Sequence, residues 1–239
     1  AATKSNAVIR DLQAAVRGYS ETRKRRKDMW IKVVNGEDIR VPNVTWDDVL
    51  LPKGLAEEIR SNLTAFFDEK TRERYGELGI PYRRGFIFAG PPGCGKTQTL
   101  RAVTNTVKAS LVALHATAGL ADRDLASAFR LAKRRAPAVL IIEDLDRVSR
   151  GRDVGMSYLL NMLDGLKVTE GVLVIATSNH PEKLDPALLH RPSRFDRIWR
   201  FPLPALKDRR TLLERKGGKF FSAAALDEVA KASQGFSMA

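Results

Sequence analysis

A chain of 239 residues, 44% hydrophobic and 29% charged, can bury one large core with small appendages, which excludes disordered and fibrous classes. Its longest apolar runs, such as Val139 to Ile142 and Val172 to Ala176, fall far short of the roughly 18 residues needed to cross a bilayer, so no membrane span is expected. The net charge of +13 is compatible with nucleic acid, an anionic surface or an acidic protein as partner, and names none of them.

Residues 6 to 28 pattern as a polar, basic helix with a modest apolar stripe at Val8, Leu12, Ala15 and Val16. Its densest charge, Arg23 to Lys27, carries no interleaved aromatic residue for base stacking, so a solvated helix end is the simpler reading. Trp30 to Val34 and Glu37 to Val41 flank Asn35-Gly36, the signature of a hairpin on a type I′ turn. The segment VTWDDVLLP leads into a helix over Lys53 to Phe67. Strands are then predicted at Phe86 to Ala89, Leu111 to His115, Val139 to Ile142, Val172 to Ala176 and Ile198 to Phe201. Several are continuous apolar runs, as for parallel strands covered on both faces. Helical faces separate them, including Leu125, Ala128, Phe129 and Ala132, and then Met156, Leu159, Leu160 and Leu163. The expectation is a doubly wound, mainly parallel five-stranded α/β domain over 44–204. An N-terminal helix and hairpin over 1–43 precede it, and 205–239 begin a helical lid. A chain that opens on Ala1 and stops after GFSMA is expected to be a fragment.

Gly90 to Thr97 read GPPGCGKT, filling the template GxxxxGK[ST] between a predicted strand and a predicted helix. That context separates a phosphate loop from a chance Gly/Pro turn. Glycines let successive N–H groups face a triphosphate, and the helix N-terminus assists. Pro92, Gly93, Cys94, Gly95, Lys96, Thr97 and Gln98 are the expected binding residues, with Lys96 neutralising phosphate charge and Thr97 offering its hydroxyl to Mg²⁺. Cys94, the only cysteine, permits no internal disulfide and points to a reducing compartment, with the cytoplasm as the expected location.

The predicted strand VLIIEDLD delivers Glu143, Asp144 and Asp146 to the carboxyl edge of the sheet, where ligands bind in such folds. Hydrolysis at a phosphate loop needs one carboxylate toward the metal and another to orient water. Glu143 and Asp144 suit these two tasks; Asp146 reads equally well as a helix cap and is left out of the core site. The run ATSN places Asn179 beside the acidic strand as a polar sensor of the γ-phosphate. Arg191 and Arg194 stand in a Pro-containing loop before the last strand, placed to project outward and stabilise transition-state charge in a neighbouring site.

Taken in order, GPPGCGKT, VLIIEDLD, ATSN, LDPALL and RPSRFDR resemble the AAA ATPases, ring-forming motors of the AAA+ superfamily, from Val44 to the chain end. The resemblance implies an α/β domain with a helical lid, ATP and Mg²⁺ as cofactors, and a homo-oligomeric ring, hexameric or heptameric. It implies Asn179 as sensor, Arg191 and Arg194 as paired fingers for the next subunit, and Asp48, Val49 and Leu50 as the adenine-contacting segment. The Glu-Asp order and GIPYRRGFIFAGPPGCGK are most similar to the mitochondrial translocase of the Rieske iron-sulfur protein and its prokaryotic relatives.

Three departures from the common pattern stand out. Asp144 is one methylene shorter than the usual glutamate, His190 is an extra residue before RPSR, and Ser193 replaces a glycine. The stretch HATAGLADRDLASAF has no aromatic before Phe129, whereas threading motors grip extended chains with an aromatic loop there. The function expected is an ATP-hydrolysing motor that remodels or translocates a protein client. A nucleic-acid remodelling ATPase is the alternative, raised by charge alone.

Overall fold

The computed structural model describes residues 30–34, 37–40, 42–115, 120–148, 154–164, 170–189 and 194–238. The predicted N-terminal helix with its basic run, the Asn35-Gly36 turn, His190, Arg191 and Ser193 lie outside these residues. Seven strands form one sheet: β1 (Trp30–Val33), β2 (Ile39–Arg40), β3 (Arg83–Ala89), β4 (Ser110–His115), β5 (Ala138–Glu143), β6 (Val172–Ser178) and β7 (Arg197–Arg200). Their spatial order is β2-β1-β4-β5-β6-β3-β7, and every neighbouring pair is parallel except β1 with β2.

All five strands predicted for 44–204 are present as β3 to β7, and the two strands of the predicted hairpin join them to make a sheet of seven. The hairpin strand β1 runs parallel to β4, with Lys32 opposite Val112 and Val33 opposite Ala113. It covers an edge of β4 that would otherwise expose unpaired backbone groups. The short β1 segment carries no periodic signal for that distant pairing.

Nine helices complete the described chain: α1 (Leu55–Phe66), α2 (Glu69–Glu77), α3 (Lys96–Thr106), α4 (Asp122–Arg134), α5 (Leu145–Val148), α6 (Val154–Asp164), α7 (Pro186–Leu189), α8 (Leu206–Gly217) and α9 (Ala223–Ala232). Alternate side chains of the central strands feed two cores. Phe86, Phe88, Val139 and Ile141 pack against Ile59 and Leu63 of α1 and Leu100 and Val103 of α3. Ile87, Leu140 and Ile142 pack against Leu125 and Phe129 of α4 and Leu159 of α6. Burial on both faces explains why these strands read as unbroken apolar runs. Phe129 is accordingly a core residue of the α4 stripe.

Strand order is what builds the site. β5, β6 and β3 are consecutive neighbours, so the loops leaving their carboxyl ends converge. The helices α8 and α9 pack on each other through the buried Arg209, which donates to the carbonyls of Ala230 and Pro204. After α9 the chain returns to the phosphate loop, where the Met238 N–H donates to the Gly93 carbonyl at 2.9 Å. No described helix is long and apolar enough to cross a membrane.

Candidate functional site

At the carboxyl edge of the sheet, a cleft of about 1110 Å³ is bounded by the phosphate loop, the segment around 42–50, the acidic strand end and α8. That volume admits a nucleotide. Gly93 (φ 73°) and Gly95 (φ 93°) hold the loop in left-handed backbone, and Gly95 is the N-cap of α3. The first-turn N–H groups of α3 therefore open toward the cleft, a favourable place for anionic oxygens.

Lys96 Nζ folds back onto the carbonyls of Gly90 (2.6 Å) and Pro91 (2.8 Å) and is buried. Desolvation lowers its pKa, while Cys94, Asp144 and Asp146 act in the opposite sense. The carbonyl partners carry no charge, so the ammonium sits in a cradle suited to an incoming anion. Burial likewise raises the Cys94 thiol, against the lowering influence of Lys96. Cys94 points into the core rather than the cleft.

The segment holding Asp48 is tied to α3. Thr45 donates through its N–H and hydroxyl to Asp48 Oδ2, Trp46 Nε1 donates to Thr106 Oγ1 at 2.7 Å, and Asn105 Nδ2 reaches the carbonyls of Pro42 and Val44. Asp48 and Leu50 line the cleft, whereas the Val49 side chain is buried behind it.

Glu143 and Asp144 emerge from β5 into the same cleft. Glu143 Oε2 meets His115 Nδ1 at 2.9 Å, a pairing set by the β4–β5 register. Asp144 Oδ1 accepts from the Asn179 amide at 3.0 Å, and its Oδ2 lies 3.3 Å from Arg147 Nε. The expected sensor thus touches the expected water-orienting carboxylate. Asp146 is buried and accepts from Ser178 Oγ (3.1 Å) and the Asn179 N–H (3.0 Å), so it fixes the loop that presents Asn179.

Pro92, Gly93, Gly95, Lys96, Thr97, Gln98, Glu143, Asp144 and Asn179 all line the cleft, as expected. Arg194 does not. It is buried, grips both carboxylate oxygens of Asp164 at the end of α6 through Nε at 3.0 Å, and donates to the Ala187 carbonyl at 2.5 Å. The expectation of an outward-projecting Arg194 is corrected: its partner, thirty residues away in sequence, draws it inward.

Sequence reasoning missed Asp47, Thr177, Leu212, Arg215, Lys216 and Met238 in the cleft wall. Leu212, Arg215 and Lys216 stand on α8 and Met238 follows α9, and Arg215 Nη1 donates to the Asp47 carbonyl at 2.7 Å. A basic residue late in a helix carried no signal that it would face a loop so far back in the chain.

Residues 86–203 match the family model for the ATPase family associated with various cellular activities (AAA). The chain belongs to the AAA ATPases. It is 34% identical over 232 residues to the proteasome-activating nucleotidase of Aeropyrum pernix, covering 89% of this chain and 55% of that protein. It is 30% identical over 215 residues to an ATP-dependent zinc metalloprotease FtsH of Acidimicrobium ferrooxidans, covering 82% of this chain and 32% of that one. An FtsH of Mesoplasma florum is 34% identical over 199 residues, covering 76% and 30%. The chain spans between 30% and 55% of the length of these relatives. As in its family, ATP with Mg²⁺ is the cofactor, and the residues present fit it: a buried ammonium held by neutral carbonyls faces the same cleft as two carboxylates and a helix N-terminus.

Proposed function

We propose that this AAA ATPase hydrolyses ATP at a site completed by a neighbouring subunit of a ring, and uses the cycle to remodel or translocate a protein client. The observation that carries the hydrolytic part is the contact between Asn179 and Asp144 in the same cleft as Lys96. The Asn179 amide on one oxygen and Arg147 beside the other fix the direction of the carboxylate, which keeps lone pairs to accept a proton from water. Lys96 and the α3 N-terminus hold and orient the phosphates, and Asn179 aligns the carboxylate with them. Mg²⁺ would neutralise phosphate charge when bound, and Thr97 and Glu143, which both line the cleft, are the residues that would hold it.

Asp144→Asn tests this reading. Binding of a fluorescent ATP analogue is expected to persist while turnover falls by about 10²–10⁴, the range for one acid–base group. Substantial turnover by the variant would remove Asp144 from that role.

Arg191 is the residue we assign as the arginine offered to the adjacent subunit, since Arg194 is engaged within its own chain. The protein client is supported by the names of the relatives, which are a protease and a proteasome activator. A sequence with no aromatic between His115 and Phe129 supports a folded or loosely held client, in keeping with the resemblance to the Rieske-protein translocase. ATP-driven processing of a tightly folded client, compared with an unfolded one, decides the point; activity on unfolded chains alone would contradict it.

A further inference from the structure

Among the described residues, Asp144 is the one non-glycine position with a positive φ, at 56°. Left-handed backbone disfavours most side chains, Asp and Asn less than others, and it persists where neighbours over-determine it. Four contacts do so here. The Asp144 N–H donates to Thr177 Oγ1 at 3.1 Å, and its carbonyl accepts from the Arg147 N–H at 2.8 Å. Its Oδ1 accepts from the Asn179 amide and its Oδ2 faces Arg147 Nε.

The Thr177 contact is the one that anchors the turn to the sheet. The β5–β6 ladder ends with Ile142 opposite Ala176. Beyond it Asp144 has left the ladder, and its N–H takes a side-chain hydroxyl in place of a backbone carbonyl. Thr177 is only 5% exposed, so its hydroxyl is held in place as the acceptor for that N–H.

We propose that Thr177 is a positioning residue for hydrolysis: its hydroxyl holds the Asp144 amide so that a left-handed turn aims the short carboxylate at Asn179 and the cleft. The proposal rests on Asp144 being the water-orienting group. An aspartate reaches about 1.5 Å less than a glutamate, one carbon–carbon bond. The left-handed backbone turns the Cα–Cβ vector and so sets the direction in which that shorter side chain points. Without the hydroxyl the turn relaxes and the carboxylate moves off line, and a misplacement of about 1 Å can cost about a hundredfold in rate.

Thr177→Val keeps the volume and removes the acceptor, whereas Thr177→Ser keeps the acceptor. The expected result is that Thr177→Val lowers kcat by about ten- to a hundredfold with affinity for a fluorescent ATP analogue unchanged, and that Thr177→Ser restores turnover. In an Asp144→Asn background, Thr177→Val is expected to lower residual turnover no further. If the valine variant does not fold, Thr177→Ala removes the hydroxyl without adding bulk and is read in the same way. Full turnover by the hydroxyl-free variants, a loss of nucleotide affinity in step with kcat, or an undiminished further loss on Asp144→Asn would each overturn the proposal. Full turnover by Asp144→Asn alone would instead overturn the reading of Asp144 on which this one stands.

Discussion

Replacing Arg194 by alanine separates two roles that the sequence motif leaves merged. A side chain that only reaches a neighbouring subunit contributes nothing to the stability of its own, and such exposed substitutions stay within about 0.5 kcal/mol. In the structure the Arg194 side chain is 6% exposed, and its guanidinium holds Asp164 while donating to the Ala187 carbonyl. Removing one partner of a buried pair costs about 3–5 kcal/mol. Asp164 is 30% exposed, and Arg83 lies close enough to feel its charge, so part of that loss is recovered. A loss of about 2–3 kcal/mol remains, and at 2–4 °C per kcal/mol for a chain of this size the midpoint drops by about 4–12 °C. Thermal and urea unfolding of Arg194→Ala, Asp164→Asn and the double variant measure it. The double variant should be less destabilised than the sum of the singles, because the contact can be lost only once. A midpoint for Arg194→Ala equal to the parent's would refute the reasoning and return Arg194 to the surface.

Two further outcomes follow from the phosphate loop. Lys96→Ala is expected to weaken binding of a fluorescent nucleotide by about 10- to 150-fold, the equivalent of one charged hydrogen bond of roughly 1.5–3 kcal/mol; equilibrium titration reads it directly. Cys94 is 1% exposed and burial raises its pKa, so less thiolate exists at any given pH than for a free cysteine. Its alkylation by iodoacetamide is therefore expected to be slow in the folded protein, to rise with pH only at the alkaline end, and to become fast in urea; mass spectrometry of timed samples shows which.

Local order was legible in the sequence because it is written in local patterns. The phosphate loop, the acidic strand end and the Asn179 loop each announce themselves within a few residues, and parallel strand order then brings them together. What escaped depends on partners far apart in the chain. Thr177 and Asp144 are separated by a helix and a crossover, so neither residue type foretells their hydrogen bond. Arg194 looks like a finger until Asp164 is placed beside it. Arg215 meets the Asp47 carbonyl only because α8 folds back over the cleft, and β1 finds β4 only once the edge of the sheet exists. Asp146, ambiguous in sequence, becomes the support of the Asn179 loop once its burial is known.

The most direct test of the shared site is ATP turnover per subunit measured across protein concentration, with particle mass recorded on the same samples. Turnover that climbs as subunits assemble, and falls in mixed assemblies containing Arg191→Ala, is the predicted result. Turnover by the monomer that is independent of concentration would contradict it.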